Sequence, residues 1–76
     1  MKVNTRLRKL AASVFGVDIN EVPEQLCFGQ IAQWDSMGHI NFIFAIEEEF
    51  CVRFSSSEIG SLKNLELIER ALDSSR

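Results

Sequence analysis

The residue types in this chain that could do chemistry are few, and most gather in one stretch. Asp35, Ser36 and His39 lie close together, Cys27 and Cys51 flank them, and Glu47, Glu48 and Glu49 follow. Serine, histidine and an acid are the parts of a nucleophilic triad. A triad needs the acid to orient the histidine while the histidine reaches the serine, with donors left for an oxyanion. Asp35 adjoins Ser36 and His39 is one helical turn further on, which is a poor placement for that chain of contacts. Cys27, His39 and Cys51 lack the ligand spacing of a zinc site, so the cysteines read as small apolar residues or free thiols. The three glutamates spread around a helix instead of pairing as acid and base, and no glycine-rich phosphate loop occurs. A serine hydroxyl at a helix start remains. Free backbone N–H groups and the helix dipole favour an anion there, and a phosphate ester on the serine would suit. An ordinary Ser or Asp N-cap is the plain alternative.

Size limits what could surround such a residue. Seventy-six residues make one domain, spanning 1–76. A chain this short buries only about 60% of its unfolded surface, too little to enclose a deep active site with a supporting shell. The expectation is a protein that is not an enzyme. The net charge is −3, unevenly placed: Lys2, Arg6, Arg8 and Lys9 make the start basic, and no Lys or Arg occurs from Leu10 to Val52. That span holds Asp18, Glu21, Glu24, Asp35 and the three glutamates. An acidic middle disfavours nucleic acid and favours basic protein partners. Charges at Arg6, Arg8 and Lys9 interrupt any signal-peptide core, and no apolar run approaches the roughly 20 residues of a membrane span. A cytoplasmic protein without a membrane span is expected. Met1 and the short tail after Ala71 suit a stand-alone chain, with an excised domain as the alternative.

The elements that must hold Ser36 are helical. Val3, Leu7, Leu10, Ala11, Val14 and Phe15 recur at helical spacing, with Asn4 or Thr5 as cap and Gly16 as stop, predicting a first helix over residues 4–15. Its basic residues sit in the first turn, where the dipole disfavours them, and no use is assigned to them. Residues 17–35 form a long connection broken by Pro23 and Gly29, and Ile19, Val22, Leu26, Phe28 and Ile31 should pack it down. A second helix is predicted from Ser36 to Phe50, capped by Asp35 or Ser36. Ser56 to Gly60 reads as one helical turn. Asn64 caps a last helix with Leu65, Ile68 and Leu72 on one face and Leu67 and Ala71 beside them. The fold class is all-α, a small bundle of three main helices plus a short turn.

On a wheel, the second helix has two apolar sides. Phe42, Ile43, Ile46 and Phe50 gather with His39 as the core stripe, so His39 reads as buried and hydrogen-bonded. Met37 and Phe44 gather elsewhere beside Asn41 and Glu48, with Ile40 between the groups. Either the long connection covers this second side, or it is a docking surface with acids around apolar contacts.

Asp35-Ser36-Met37, the apolar residues at 40, 42, 43, 44 and 46, and Glu47-Glu48-Glu49-Phe50 together resemble the acyl carrier protein family, whose signature is Asp-Ser-Leu leading into such a helix. Phe54, Ile59, Leu62, Leu65 and Leu72 fall where the family places core residues of its third and fourth helices, and Leu7, Leu10 and Val14 suit its first. The resemblance implies a single acyl carrier domain. Ser36, with Asp35 beside it, would receive a 4′-phosphopantetheine arm from coenzyme A through a phosphopantetheinyl transferase. The arm's thiol would hold an acyl thioester, and the protein would carry it between enzymes, tethering raising its local concentration. His39, Phe42 and Ile46 would line any pocket for the acyl chain. Met37, Ile40, Phe44, Glu47 and Glu48 would face acyl-loading and acyl-using enzymes bearing basic patches, and the carrier would be a monomer. Met37 in place of Leu conserves volume and should be tolerated, whereas Gly38 and Asn41 where acids are common, the serines at 55–57, and Trp34 with the Gly38-His39 pair point to a specialised pathway, such as a polyketide or a fatty-acid-like one. A carrier of peptidyl or aminoacyl groups is the near alternative. An unmodified helical interaction module, with Ser36 a mere cap, is the alternative of another class.

Overall fold

The computed structural model describes residues 4–74. Lys2 and Val3, the latter counted above in the apolar spacing of the first helix, lie outside the described residues. Among the described residues four helices follow in order: α1 (Thr5–Phe15), α2 (Ser36–Phe50), α3 (Ser56–Ser61) and α4 (Leu65–Ser74), with a 3-10 turn at Ile19–Glu21 between the first two. No strand is present among the described residues, and the all-α expectation holds.

Local chemistry sets most helix ends. The Asn4 side chain accepts the Arg6 N–H at 2.7 Å and caps α1. Gly16 closes it with a positive φ of 70°, its N–H donating to the Ala12 carbonyl, a conformation glycine adopts without steric cost. Ser55 and Glu58 form a reciprocal capping box at α3. The Asn64 side chain accepts the Leu67 N–H at 2.8 Å at the start of α4. Buried positions in α1 are Leu7, Ala11 and Phe15, one per turn, while Leu10 and Val14 sit half-buried at the edge of that stripe. In α4 the inward residues are Leu65, Ile68, Glu69 and Leu72, and Leu67 turns outward.

The first-turn arginines of α1, unassigned on sequence grounds, tie other elements down. Arg6 pairs with Glu49 at 3.0 Å, donates to the Glu49 carbonyl at 2.9 Å, and lies over the Phe50 ring. Its charge therefore sits at the C-terminal end of α2, where the dipole favours a cation. Arg8 donates to the Val22 carbonyl at 2.7 Å and holds the 3-10 turn against α1. The carbonyls they reach are distant in sequence, so the sequence pattern alone did not reveal them.

The connection over residues 17–35 is packed, as its apolar punctuation implied. Val22 and Leu26 are fully buried, and Phe28 and Ile31 are half-buried against the core. It is pinned to the α3–α4 corner by a short antiparallel bridge: the Phe28 N–H donates to Lys63 at 2.7 Å and the Leu65 N–H to Leu26 at 3.1 Å. Trp34, at its end, is the largest fully buried side chain. Trp34, Phe15 and Phe42 form an aromatic cluster with centroids 5.0–5.6 Å apart. Burying each such ring contributes about 1.5–3 kcal/mol, and tilted pairs add about 0.5–1.5 kcal/mol. This cluster forms the floor on which the start of α2 rests.

Candidate functional site

The start of α2 carries the predicted site. Asp35 is the cap: its carboxylate accepts the Gly38 N–H at 2.8 Å from an extended backbone. Ser36, the first residue of the helix, is exposed. Among the described residues its hydroxyl has no hydrogen-bond partner. Of the two caps open on sequence grounds, Asp35 therefore takes the role and Ser36 does not.

Beneath the serine the chain is tightly held. A Cβ on Gly38 would collide with the Gln33 carbonyl, so the connection and the helix approach each other only because residue 38 has no side chain. Gly38, read above as a mark of altered partners, thus has a cause inside the fold. His39 is buried, as the wheel implied. It stacks on Trp34, and Phe28 meets it edge-on. The Trp34 Nε1–H donates to His39 Nδ1 at 3.0 Å, and His39 Nε2 lies 2.8 Å from the Ile59 carbonyl of α3. With both ring nitrogens engaged this way and the acid of Asp35 directed at Gly38, no Ser–His–Asp relay forms.

The second apolar side of α2 is open. Met37 is 74% exposed, Phe44 58% and Ile40 41%, and Asn41 and Glu48 are exposed beside them. The long connection packs on the opposite side, which removes the possibility that it covers these residues. Two open grooves of ≈ 400 Å³ each flank Phe44. One is lined by Leu10, Phe44, Ala45, Glu48 and Glu49, the other by Phe44, Glu47, Glu48 and Arg53. The acids are not equivalent. Glu47 is half-buried and accepts the Phe54 N–H at 2.9 Å, and Glu49 is paired with Arg6. Glu48 is exposed and unpaired among the described residues. Of the three, Glu48 is the one free to meet a partner, while Glu47 holds the turn after α2.

Phe42 and Ile46 are fully buried and His39 nearly so. In this conformation the residues expected to line an acyl pocket are closed on one another. Cys27 and Cys51 are both exposed free thiols, and Cys51 ends α2 with a positive φ of 55°. They are not the buried apolar residues that one of the two readings allowed. Among the described residues no helix is long and apolar enough to cross a membrane.

No protein-family model matches the chain, and no curated protein is found as a relative.

Two parts of the site escaped sequence reading. Trp34 carries no core assignment on sequence grounds, although it continues the three-residue apolar spacing of Phe28 and Ile31, and it is fully buried. The Ile59 carbonyl that receives His39 is a backbone group on a distant helix, and no sequence signal marks it.

Proposed function

We propose that this chain is a carrier of acyl groups, held as thioesters on a 4′-phosphopantetheine arm attached to Ser36. The observation that carries the reading is the division of roles at the start of α2. Asp35 caps the helix, and Ser36 stands exposed with its hydroxyl unengaged. The plainest structural use of a serine here is thereby already taken by its neighbour. A phosphodiester at this position would meet the positive end of a 15-residue helix.

Modification would proceed by attack of Ser36 Oγ on the phosphorus of coenzyme A that bears the pantetheine. The bond to the departing adenosine phosphate breaks, and the serine proton passes to a base of the phosphopantetheinyl transferase. The carrier contributes the position of the oxygen and no catalytic group of its own. The arm's thiol then accepts and yields acyl groups on partner enzymes. Met37, Ile40 and Phe44 offer those partners apolar contact, and Glu48 attracts their basic groups. A cytoplasmic monomer serving a specialised biosynthetic pathway fits this picture, and peptidyl or aminoacyl cargo would use the same serine.

Intact mass after incubation with coenzyme A and a promiscuous phosphopantetheinyl transferase tests the reading. One added phosphopantetheine, absent in Ser36→Ala, is expected, with unchanged thermal unfolding in that variant. No gain by the wild-type chain would favour the unmodified interaction module.

A further inference from the structure

The Trp34–His39 hydrogen bond spans the residues that carry the proposed attachment point. It runs between side chains five positions apart, at 3.0 Å, with Asp35, Ser36, Met37 and Gly38 in the intervening backbone. An indole N–H only donates and a carbonyl only accepts. His39 Nδ1 therefore accepts from Trp34, and its Nε2–H donates to Ile59. One buried imidazole thus satisfies groups from the connection and from α3 at once. The loop side of the ring is fixed as well: the Trp34 carbonyl accepts the Gly29 N–H at 2.9 Å, and its N–H donates to Ile31 at 3.1 Å. Gly38 closes the remaining space against the Gln33 carbonyl.

We infer that His39 is a positioning residue for Ser36, closing the turn from Trp34 to His39 into a clamped ring that presents the serine oxygen in one place and ties that place to α3. The inference rests on the carrier reading above. A transferase must bring the serine oxygen in line with a phosphorus, and small misplacements of a reacting atom slow such steps steeply. The clamp reduces the number of arrangements the serine can take before the enzyme arrives. His39 touches neither the phosphorus nor the serine oxygen and acts through the backbone between them.

Trp34→Phe tests this directly, because it keeps a ring in the aromatic cluster and deletes the indole N–H donor. His39→Leu, which removes both bonds and keeps apolar volume, is the second variant. A control on α4 is chosen from Ile68→Val and Ile68→Ala to match the loss in Tm, since Ile68 is buried in a different helix. The rate of phosphopantetheine transfer from coenzyme A by a promiscuous transferase is followed by intact mass. Losing a hydrogen bond of typical net strength corresponds to roughly five- to tenfold. Transfer to Trp34→Phe and His39→Leu should slow by about that factor, while the control stays within about twofold of wild type. Hydrogen exchange of the Gly38 amide should accelerate in the same two variants and not in the control. Wild-type transfer rates in both clamp variants, or equal slowing in the control, would overturn the inference. If the wild-type chain itself takes up no phosphopantetheine, the carrier reading fails, and the Gly38 amide decides the clamp alone. Faster exchange confined to the clamp variants then sustains it, and uniform exchange overturns it.

Discussion

The two sides of α2 obey different rules. The inner side is His39, Phe42, Ile43 and Ile46, all buried, with Phe42 against Phe15 of α1 and Trp34 of the connection and both ring nitrogens of His39 bonded. The outer side is Met37, Ile40, Phe44 and Glu48, exposed and without a partner in the fold. The inner side is constrained by shape, so a change there alters stability and the placement of Ser36. The outer side can change its chemistry with little effect on the fold. On the proposed reading, the same helix keeps Ser36 fixed while the surface offered to partners can vary.

Breaking the inner side should have the largest effect. Phe42→Ala removes a fully buried ring from the Phe15–Trp34 cluster and should cost about 3–5 kcal/mol. That is a large part of the roughly 5–15 kcal/mol stability of an ordinary domain. Urea unfolding followed by the fluorescence of Trp34 would measure it. A loss under about 1 kcal/mol would mean the cluster does not support the helix as described.

Gly38→Ala comes next and carries a sign. In an open helix this substitution stabilises by about 1 kcal/mol. Here the added Cβ meets a backbone carbonyl that cannot rotate away, and overpacking of this kind costs about 1–3 kcal/mol. A net fall in Tm is expected, and a rise would show that Gln33 does not press on the helix.

Arg6→Ala removes the link between the first turn of α1 and the last turn of α2. The ion pair is more than half exposed at the arginine, so the expected loss is small, about 0.5–1 kcal/mol including the contact with Phe50. The difference from wild type should shrink as salt is added. A salt-independent loss would assign the effect to the ring contact.

Phe44→Glu should have the smallest effect on the fold, within about 0.5 kcal/mol, because the ring is mostly exposed. Its effect should fall on acyl transfer with a cognate enzyme, which the reading of the outer side requires to drop. Normal transfer at unchanged stability would remove Phe44 from the docking surface and leave Met37 and Glu48 to be tested in the same assay.

Much of the architecture was legible from local signals. The caps at Asn4, Asp35 and Asn64 follow from side chains that bond to their own neighbouring backbone, and the stops at Gly16 and Cys51 from left-handed backbone whose N–H bonds back into the helix. The burial of His39 followed from a wheel, since its face was already occupied by Phe42 and Ile46. Less was legible wherever a residue's role depended on a segment far along the chain. Trp34 lies outside any helix, and the three-residue spacing it shares with Phe28 and Ile31 is too short a run to mark it as core. Glu69 gave no sign that its carboxylate would be buried and would accept the Asn4 N–H at 3.1 Å, 65 positions away in sequence. Glu47, Glu48 and Glu49 are one run in the sequence and three roles in the fold, because the helix turns each toward a different neighbour.

By itself, then, the sequence determined the helical class, the helix limits and the placing of Ser36 at a helix start, because capping and periodicity act over a few residues. The tertiary structure decided that Asp35 is the cap and Ser36 is free, that the outer side of α2 stays uncovered, and that Gly38 and His39 serve the fold. The cap is settled by the extended backbone at Asp35, which turns its carboxylate onto the Gly38 N–H. The others depend on groups brought from outside the helix, the carbonyls of Gln33 and Ile59 and the path of the connection over the opposite side.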